Sequence, residues 1–379
     1  MGVLSQGNSG VATQGGAMLE IWRAGGSNTG FSRAIAEAVE AEGWDGQMFM
    51  DSQSLSADPW VLMGAWALAT SKLKLCTGVT NPLTRNLAVT ATSAATVHSI
   101  SGGRAVLGIG RGDSALAYLG HAPVSIAAFE RAIGMLQKLL SGDSVDFSAI
   151  NEGERAPSSE SLSLGDRPGA TRLKWLPEGM SKVELDVAAT GPKVIAMSAP
   201  VAERVTFSVG AIPERMAWAV EHADAARAAK DFGREGVSYG AQVVVVCNPD
   251  EEAALALATS FVQPLARFQV IQGTAAGPLG DGDTDSLQAI RRNYDMNRHA
   301  DIAGGTRLMD NATLSPDFVR RFAVVGGPDY CTQRLLELAQ QGLNRFVIVG
   351  PGFYPESWGE ARHLFAREVL PALKQAAAA

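Results

Sequence analysis

The 379-residue chain carries only three cysteines, Cys76, Cys247 and Cys331, far apart and odd in number. That leaves no disulfide framework and no pair at metal-ligand spacing, so no metal is expected. It also fits a reducing, cytoplasmic setting. Cys76 and Cys247 fall in strand-like runs and read as small buried hydrophobes. Positive charge is in short supply: 32 Lys and Arg against 39 Asp and Glu leave a net charge of −7. An acidic chain argues against nucleic acid or an anionic membrane as partner. It does not argue against an anionic small molecule, because backbone N–H groups at helix ends bind phosphate without bulk charge. Long apolar runs are missing too: Val61 to Ala69 is far too short to span a bilayer. Residues 1–17 have neither the basic nor the apolar region of a signal peptide, and their Gly, Ser and Gln content reads as a flexible tail.

What is present is 46% hydrophobic residues, enough for a large buried core. From Met18 onward, strand-like runs alternate with helix-like ones. The expected strands are Leu19–Trp22, Gln47–Met50, Leu73–Thr77, Ala105–Ile109, Val183–Ala189, Val205–Val209, Ala241–Cys247 and Arg345–Val349. Helices are expected between them, among them one opened by Asp58 as cap with Pro59 in its first turn, and one over Pro192–Arg204. A terminal helix is expected from Glu356 to Lys374. Two irregular stretches interrupt the order, near 141–180 and 272–300, and read as insertions, the first as a possible lid. Eight strands, nearly all followed by helices, predict one single (β/α)8 TIM barrel over residues 18–379 with inserted loops. An open doubly wound sheet is the competing arrangement.

Three strand ends carry the chemistry. The third strand runs into Gly78-Val79-Thr80-Asn81-Pro82, an irregular exit with Arg85 close behind. The fourth runs into Gly110-Arg111-Gly112-Asp113-Ser114, where glycines admit a close backbone approach and exposed N–H groups can hold a phosphate or a ring oxygen. The fifth ends in Ala189-Thr190-Gly191-Pro192, with proline starting a helix and its unpaired N–H groups offering an anion site. Each is also compatible with a capped turn that holds no ligand. His98 lies on a helix and reads as structural, while His121 and His299 are candidates for the pocket. Trp22, near a strand's C-terminal end, is favoured over Trp44 as pocket wall.

Together these segments resemble the luciferase-like monooxygenase superfamily, and within it the branch typified by methylenetetrahydromethanopterin reductase. The stretch Arg321 to Pro328 and the run Gly342 to Val349 add to the likeness, which covers about Leu19 to Leu373. The resemblance implies a flavin or deazaflavin at the C-terminal ends of the strands. It implies a cis peptide between Gly78 and Val79 behind the cofactor ring, and Thr80 beside it. Gly110, Gly112, Asp113 and Ser114 would line the ring or ribityl edge, and Ala189, Thr190, Gly191 and Pro192 the phosphate. It places Asp51 against the ring as the catalytic candidate, and Tyr294 in a stretch that recurs in relatives and closes over the site; Asn81, Arg85, His299 and Trp22 complete the expected substrate pocket. Two departures stand out: Ser52 and Asn86 occupy positions where many relatives carry histidine, so no general acid or base transfers directly.

The implied activity is hydride transfer between coenzyme F420 and a small organic substrate. A deazaflavin has carbon where a flavin has N5, which favours hydride transfer over reaction with oxygen. The alternatives are an FMN-dependent monooxygenase fed with reduced flavin, and a flavin-binding barrel without catalysis. The expected partners are the small-molecule substrate, a flavin or F420 reductase, and a second copy of the chain in a homodimer built on helices near the start of the barrel.

Overall fold

The computed structural model describes residues 19–147, 168–299, 314–352 and 361–378, together with the single residues 161, 163 and 165. The expected tail over 1–17, parts of both insertions and the start of the terminal helix lie outside the described residues.

Eleven strands are described. They are β1 (Glu20–Gly25), β2 (Gly46–Phe49), β3 (Lys74–Thr77), β4 (Ala105–Ile109), β5 (Val145–Asp146), β6 (Ala170–Thr171), β7 (Glu184–Ala189), β8 (Arg204–Phe207), β9 (Ser238–Cys247), β10 (Val324–Gly326) and β11 (Arg345–Gly352). Eight of them close on themselves in parallel: β1, β2, β3, β4, β7, β8, β9 and β11, with β11 pairing back to β1. The β8–β9 and β11–β1 pairings exclude the open sheet. β5 and β6 form a two-residue antiparallel ribbon inside the first insertion.

Period-two alternation decides what each strand residue faces. Ile21, Leu107, Leu185, Val205 and Phe346 join the cluster between strands and helices. Their neighbours Trp22, Val106, Asp186, Arg204 and Arg345 point inside the barrel. The helices form where expected, for local reasons. Asp58 Oδ1 accepts from the N–H groups of Trp60 (2.8 Å) and Val61 (3.2 Å), and Pro59 needs no partner in that first turn. Ser125 caps the helix Ile126–Leu140 in the same manner.

The barrel floor is ionic rather than aliphatic. Arg345, fully buried, bonds Asp186 (2.8 Å) and Thr206 (3.0 Å). Arg204 bonds Glu20 (2.7 Å) and Glu184 (2.5 Å). Burial alone would raise the Glu20 carboxyl, but Arg204 and Lys74 bring it down to about 2. Both guanidinium groups lie over the Trp22 ring, at 5.3 and 5.5 Å. Gly46 makes room for that ring, since a Cβ there would stand 2.4 Å from it.

Several expectations need correction. Trp22 is not at the end of its strand: β1 continues to Gly25, and the indole sits in the floor with its N–H on Glu20 (2.9 Å). Trp44 is buried against Phe365 (5.3 Å, 11°). The helix expected over Pro192–Arg204 ends at Ser198, because Arg204 is already a barrel residue in register with Asp186. β9 starts three residues early, at Ser238. β10 was not expected at all: three residues suffice because the extended end of β9 is already there to pair with it. His98 bonds Ala105 O (3.0 Å) and Ser181 Oγ (2.9 Å) from a buried position, a structural role. All three cysteines are free and buried. No helix among the described residues is long and apolar enough to cross a membrane.

Candidate functional site

A cavity of about 880 Å³ opens at the C-terminal ends of the barrel strands. Its wall begins with the exit from β3. The Gly78–Val79 peptide is cis. Gly78 N–H donates to Phe49 O (2.7 Å), and Thr80 bridges to β4 through Gly108 O (3.0 Å) and Gly110 N–H (2.9 Å). Thr80 is therefore buried in the strap that joins two strands and does not line the cavity, whereas Gly78 and Val79 do. A Cβ on Gly78 would stand 2.8 Å from Met48, and one on Gly110 3.0 Å from Val79. Both glycines thus stand where a side chain would collide with the neighbouring wall residues.

Asn81 comes next. Its Oδ1 accepts from the N–H groups of Leu83 and Thr84, both at 3.0 Å. Its Nδ2 is buried without a partner, on the cavity wall. An orphaned donor of this kind costs about 1–3 kcal/mol unless a ligand atom accepts from it. Asp51 is also buried on the wall, but both carboxylate oxygens are taken. Arg85 binds one at 2.6 Å and Gln53 donates to the other. Arg85 also reaches Asp58 (2.8 Å), the cap of the next helix. Arg85 itself does not line the cavity; it holds Asp51.

From β4, Gly110, Gly112, Asp113 and Ser114 all line the cavity. Gly112 has φ +82°, a left-handed conformation that favours glycine. Asp113 forms an ion pair with Arg267; burial pushes its carboxyl up while Arg267 pulls the other way. From β7, Thr190, Gly191 and Pro192 line the cavity, while Ala189 is buried in the barrel wall. Gly191 stands before the short helix Pro192–Ser198 without a side-chain capping bond, and a Cβ there would meet nothing within 4 Å.

His299 lines the cavity and Tyr294 supports it, with Oη and Nδ1 2.5 Å apart. Burial, then Arg267, pulls the imidazole down to about 4. Burial pushes the Tyr294 phenol up, so it stays protonated. As pH falls below about 6.5 the unfolded chain takes up this proton before the folded one. The stability contribution of neutral His299 is therefore complete above pH 6.5 and is lost on the way down to 4. Its ring NMR signals should not move between pH 8 and 5.5; a midpoint near 6.5 would contradict the buried placement. His121 is exposed and lies outside the cavity lining.

Sequence reasoning missed several lining residues. Arg111 lies inside the glycine motif and Lys193 directly follows Pro192, so the local sequence marks both. Arg215, Ser208 and Gln242 carry no such mark: closure of the barrel, and for Arg215 the seating of the helix Pro213–Ala228, brings them to the cavity. The helix Glu251–Arg267 closes one side with Phe261 and Leu265, although nothing in its sequence marks it as a cavity wall.

A family model described as luciferase-like monooxygenase matches residues 3–345. The chain is 27% identical over 330 residues to a 5,10-methylenetetrahydromethanopterin reductase of Methanolobus tindarius, covering 83% of this chain and 89% of that protein. It is 31% identical over 315 residues to a phthiodiolone/phenolphthiodiolone dimycocerosates ketoreductase of Mycobacterium bovis, with 79% and 76% covered. Among solved structures, the coenzyme F420 dependent tetrahydromethanopterin reductase from Methanopyrus kandleri superposes with a TM-score of 0.70 at 20% identity, covering 94% of this chain and 100% of that one. At that identity the likeness is one of fold.

Proposed function

The chain belongs to the luciferase-like monooxygenase family, and from that premise we propose that it is an oxidoreductase using coenzyme F420 to exchange a hydride with a small organic substrate. The observation that carries this reading is convergence: three glycine-bearing strand ends far apart in sequence, at Gly78, Gly110 to Gly112 and Gly191, line one cavity. The names of the similar proteins, a reductase and a ketoreductase, support reduction as the reaction.

The residues present fit such a cofactor. When bound, a deazaflavin supplies a ring carbon that gives or takes a hydride. Gly78, Val79 and Gly110 offer it a wall, and Asn81 Nδ2 offers an unused donor. Arg111, Lys193 and the backbone at Gly191 form an anion-binding end for its phosphate. Asp51, fixed by Arg85, is the candidate for orienting the reacting edge. Phe261 and Leu265 exclude water. Tyr294 and His299 stand on the substrate side as a neutral, hydrogen-bonded pair.

Absorption and binding titrations with coenzyme F420 and with FMN test the reading. Tighter binding of the deazaflavin, with hydride exchange, is expected. Tighter binding of FMN with oxygen uptake would make the protein a monooxygenase, and binding of neither would remove the enzymatic reading. The setting we infer is cytoplasmic, with a separate reductase supplying reduced cofactor.

We also infer a homodimer. The helix Pro59–Ala69 is apolar all round, which calls for cover on both faces. Yet Val61 (72% exposed) and Leu68 (67% exposed), seven residues apart on one face, are uncovered. On the helix Leu87–Ile100, Ile100 lies 3.9 Å from where a Cβ on Gly64 would stand and extends the patch, and Val89 is exposed as well. The wild type should show a dimer mass by light scattering at micromolar concentration, and Val61→Glu with Leu68→Glu should halve it. A monomeric wild type rejects the interface.

A further inference from the structure

Among the described residues, the cavity is lined by two carboxylates, Asp51 and Asp113, and each is neutralised by an arginine. It is lined by three cations, Arg111, Lys193 and Arg215, and none of these has a carboxylate within ion-pair distance. A chain with net charge −7 thus surrounds its cavity with an excess of positive charge. Such a field concentrates anions. Arg111 and Lys193 adjoin the glycine motifs at the ends of β4 and β7, and the cofactor phosphate accounts for them. Arg215 belongs to a different strand end, after β8, in the first turn of the helix Pro213–Ala228.

Arg215 is 1% exposed. Its Nε donates to Val209 O (3.2 Å) and its Nη1 to Pro278 O (3.0 Å). The two nearby carboxylates, Glu214 and Asp283, are instead bound to Arg321, at 2.6 and 3.3 Å. Burial draws the guanidinium down to about 10, so it stays charged at neutral pH. Two other arginines of this barrel, Arg104 and Arg227, also lack a carboxylate contact. Both, however, use all three side-chain nitrogens on protein oxygens. Arg215 leaves Nη2 without a protein acceptor, and it lines the cavity. Nη2 is thus the one nitrogen of an otherwise buried charge that opens on the cavity, and an anionic ligand there would complete its partners. On the same wall, Gln242 accepts from Ser208 through Oε1 (3.0 Å), which leaves its amide N–H groups for a ligand.

We propose that Arg215 binds a carboxylate of the substrate, so that the enzyme acts on acidic organic molecules. The proposal rests on the oxidoreductase reading of the same cavity. It separates this chain's substrate from neutral alcohols and ketones, which could accept a hydrogen bond from Nη2 of Arg215 but would leave its charge without a counter-charge.

The test uses the cofactor-loaded wild type and Arg215→Met, titrated with benzoate and glutarate and with their neutral amides. Binding is followed by melting temperature and by the cofactor absorption band. The wild type should favour at least one carboxylate over its amide by about tenfold or more. Arg215→Met should lose that preference while keeping its cofactor affinity. Arg215→Lys, which retains the charge, should keep part of the preference, and it decides the matter if the Met variant does not fold. Wild type with no carboxylate preference, or a preference that survives in Arg215→Met, overturns the proposal. So does a loss in Arg215→Met confined to phosphate-bearing cofactors, with the phosphate-free riboflavin and deazariboflavin forms unaffected, since Arg215 would then hold the cofactor's phosphate. A wild type that binds neither coenzyme yet still prefers carboxylates refutes the cofactor reading instead.

Discussion

Gly191→Trp should weaken cofactor binding by roughly two to four orders of magnitude while leaving the fold intact. The loss corresponds to about two charge-assisted hydrogen bonds of 1.5–3 kcal/mol each, made by backbone N–H groups to a phosphate that the indole would displace. The fold should survive because Gly191 has φ −105°, an ordinary value for any residue, and a Cβ there meets no atom within 4 Å. The new side chain enters open space at a residue that lines the cavity. A fluorescence or absorbance titration of the variant with coenzyme F420 and with FMN reads the effect. Circular dichroism and melting temperature check that the barrel is unchanged. A variant that binds either cofactor as tightly as the wild type places the phosphate elsewhere on the rim. The neighbouring glycines would not give so clean a result. At Gly112 the positive φ and Leu116, 2.5 Å from a new Cβ, would strain the backbone as well as the site.

Asp186→Ala should cost about 3–5 kcal/mol of stability, the usual result of removing one partner from a buried ion pair. Arg345 is fully buried and already has Nε and Nη2 without partners. Asp186 is its counter-charge, and Thr206 hydrogen-bonds both (2.7 Å to Asp186). Without it the guanidinium remains stranded between the Trp22 ring and Gly240, where a Cβ would come within 2.8 Å of the guanidinium carbon. For a chain of this size the loss should lower the melting temperature by roughly 4–7 °C. Asp186→Leu combined with Arg345→Met removes both charges at similar volume and should recover most of it. A single variant within about 1 kcal/mol of the wild type would mean that the floor is hydrated and the pair contributes little.

The two variants probe the two ends of the barrel, which differ in how far sequence could foresee them. The strand count, the capping of the helix at Asp58, and the three glycine-bearing strand ends were all legible. They depend on residues close together in the chain: a period of two, a carboxylate before a proline, a glycine where the backbone must come near something else. The family resemblance rested on the same local runs. By contrast, Trp22 is a floor residue because β1 runs on to Gly25 and sets the cavity above the indole, and no local residue marks that extension. Thr80 and Ala189 belong to cavity motifs by sequence yet face the barrel wall, by strand alternation. Arg215, Gln242 and Ser208 carry no local mark.

The sequence by itself therefore determined that this chain would be a barrel and which strand ends would line its cavity, since helix caps, strand periodicity and backbone conformation are set by neighbouring residues. The tertiary structure alone decided which charges go unpaired. Whether a guanidinium finds a carboxylate depends on strand register across the closed sheet. That register joins Asp186 to Arg345 over 159 positions, while the seating of the helix Pro213–Ala228 leaves Arg215 on the cavity without a carboxylate at ion-pair distance.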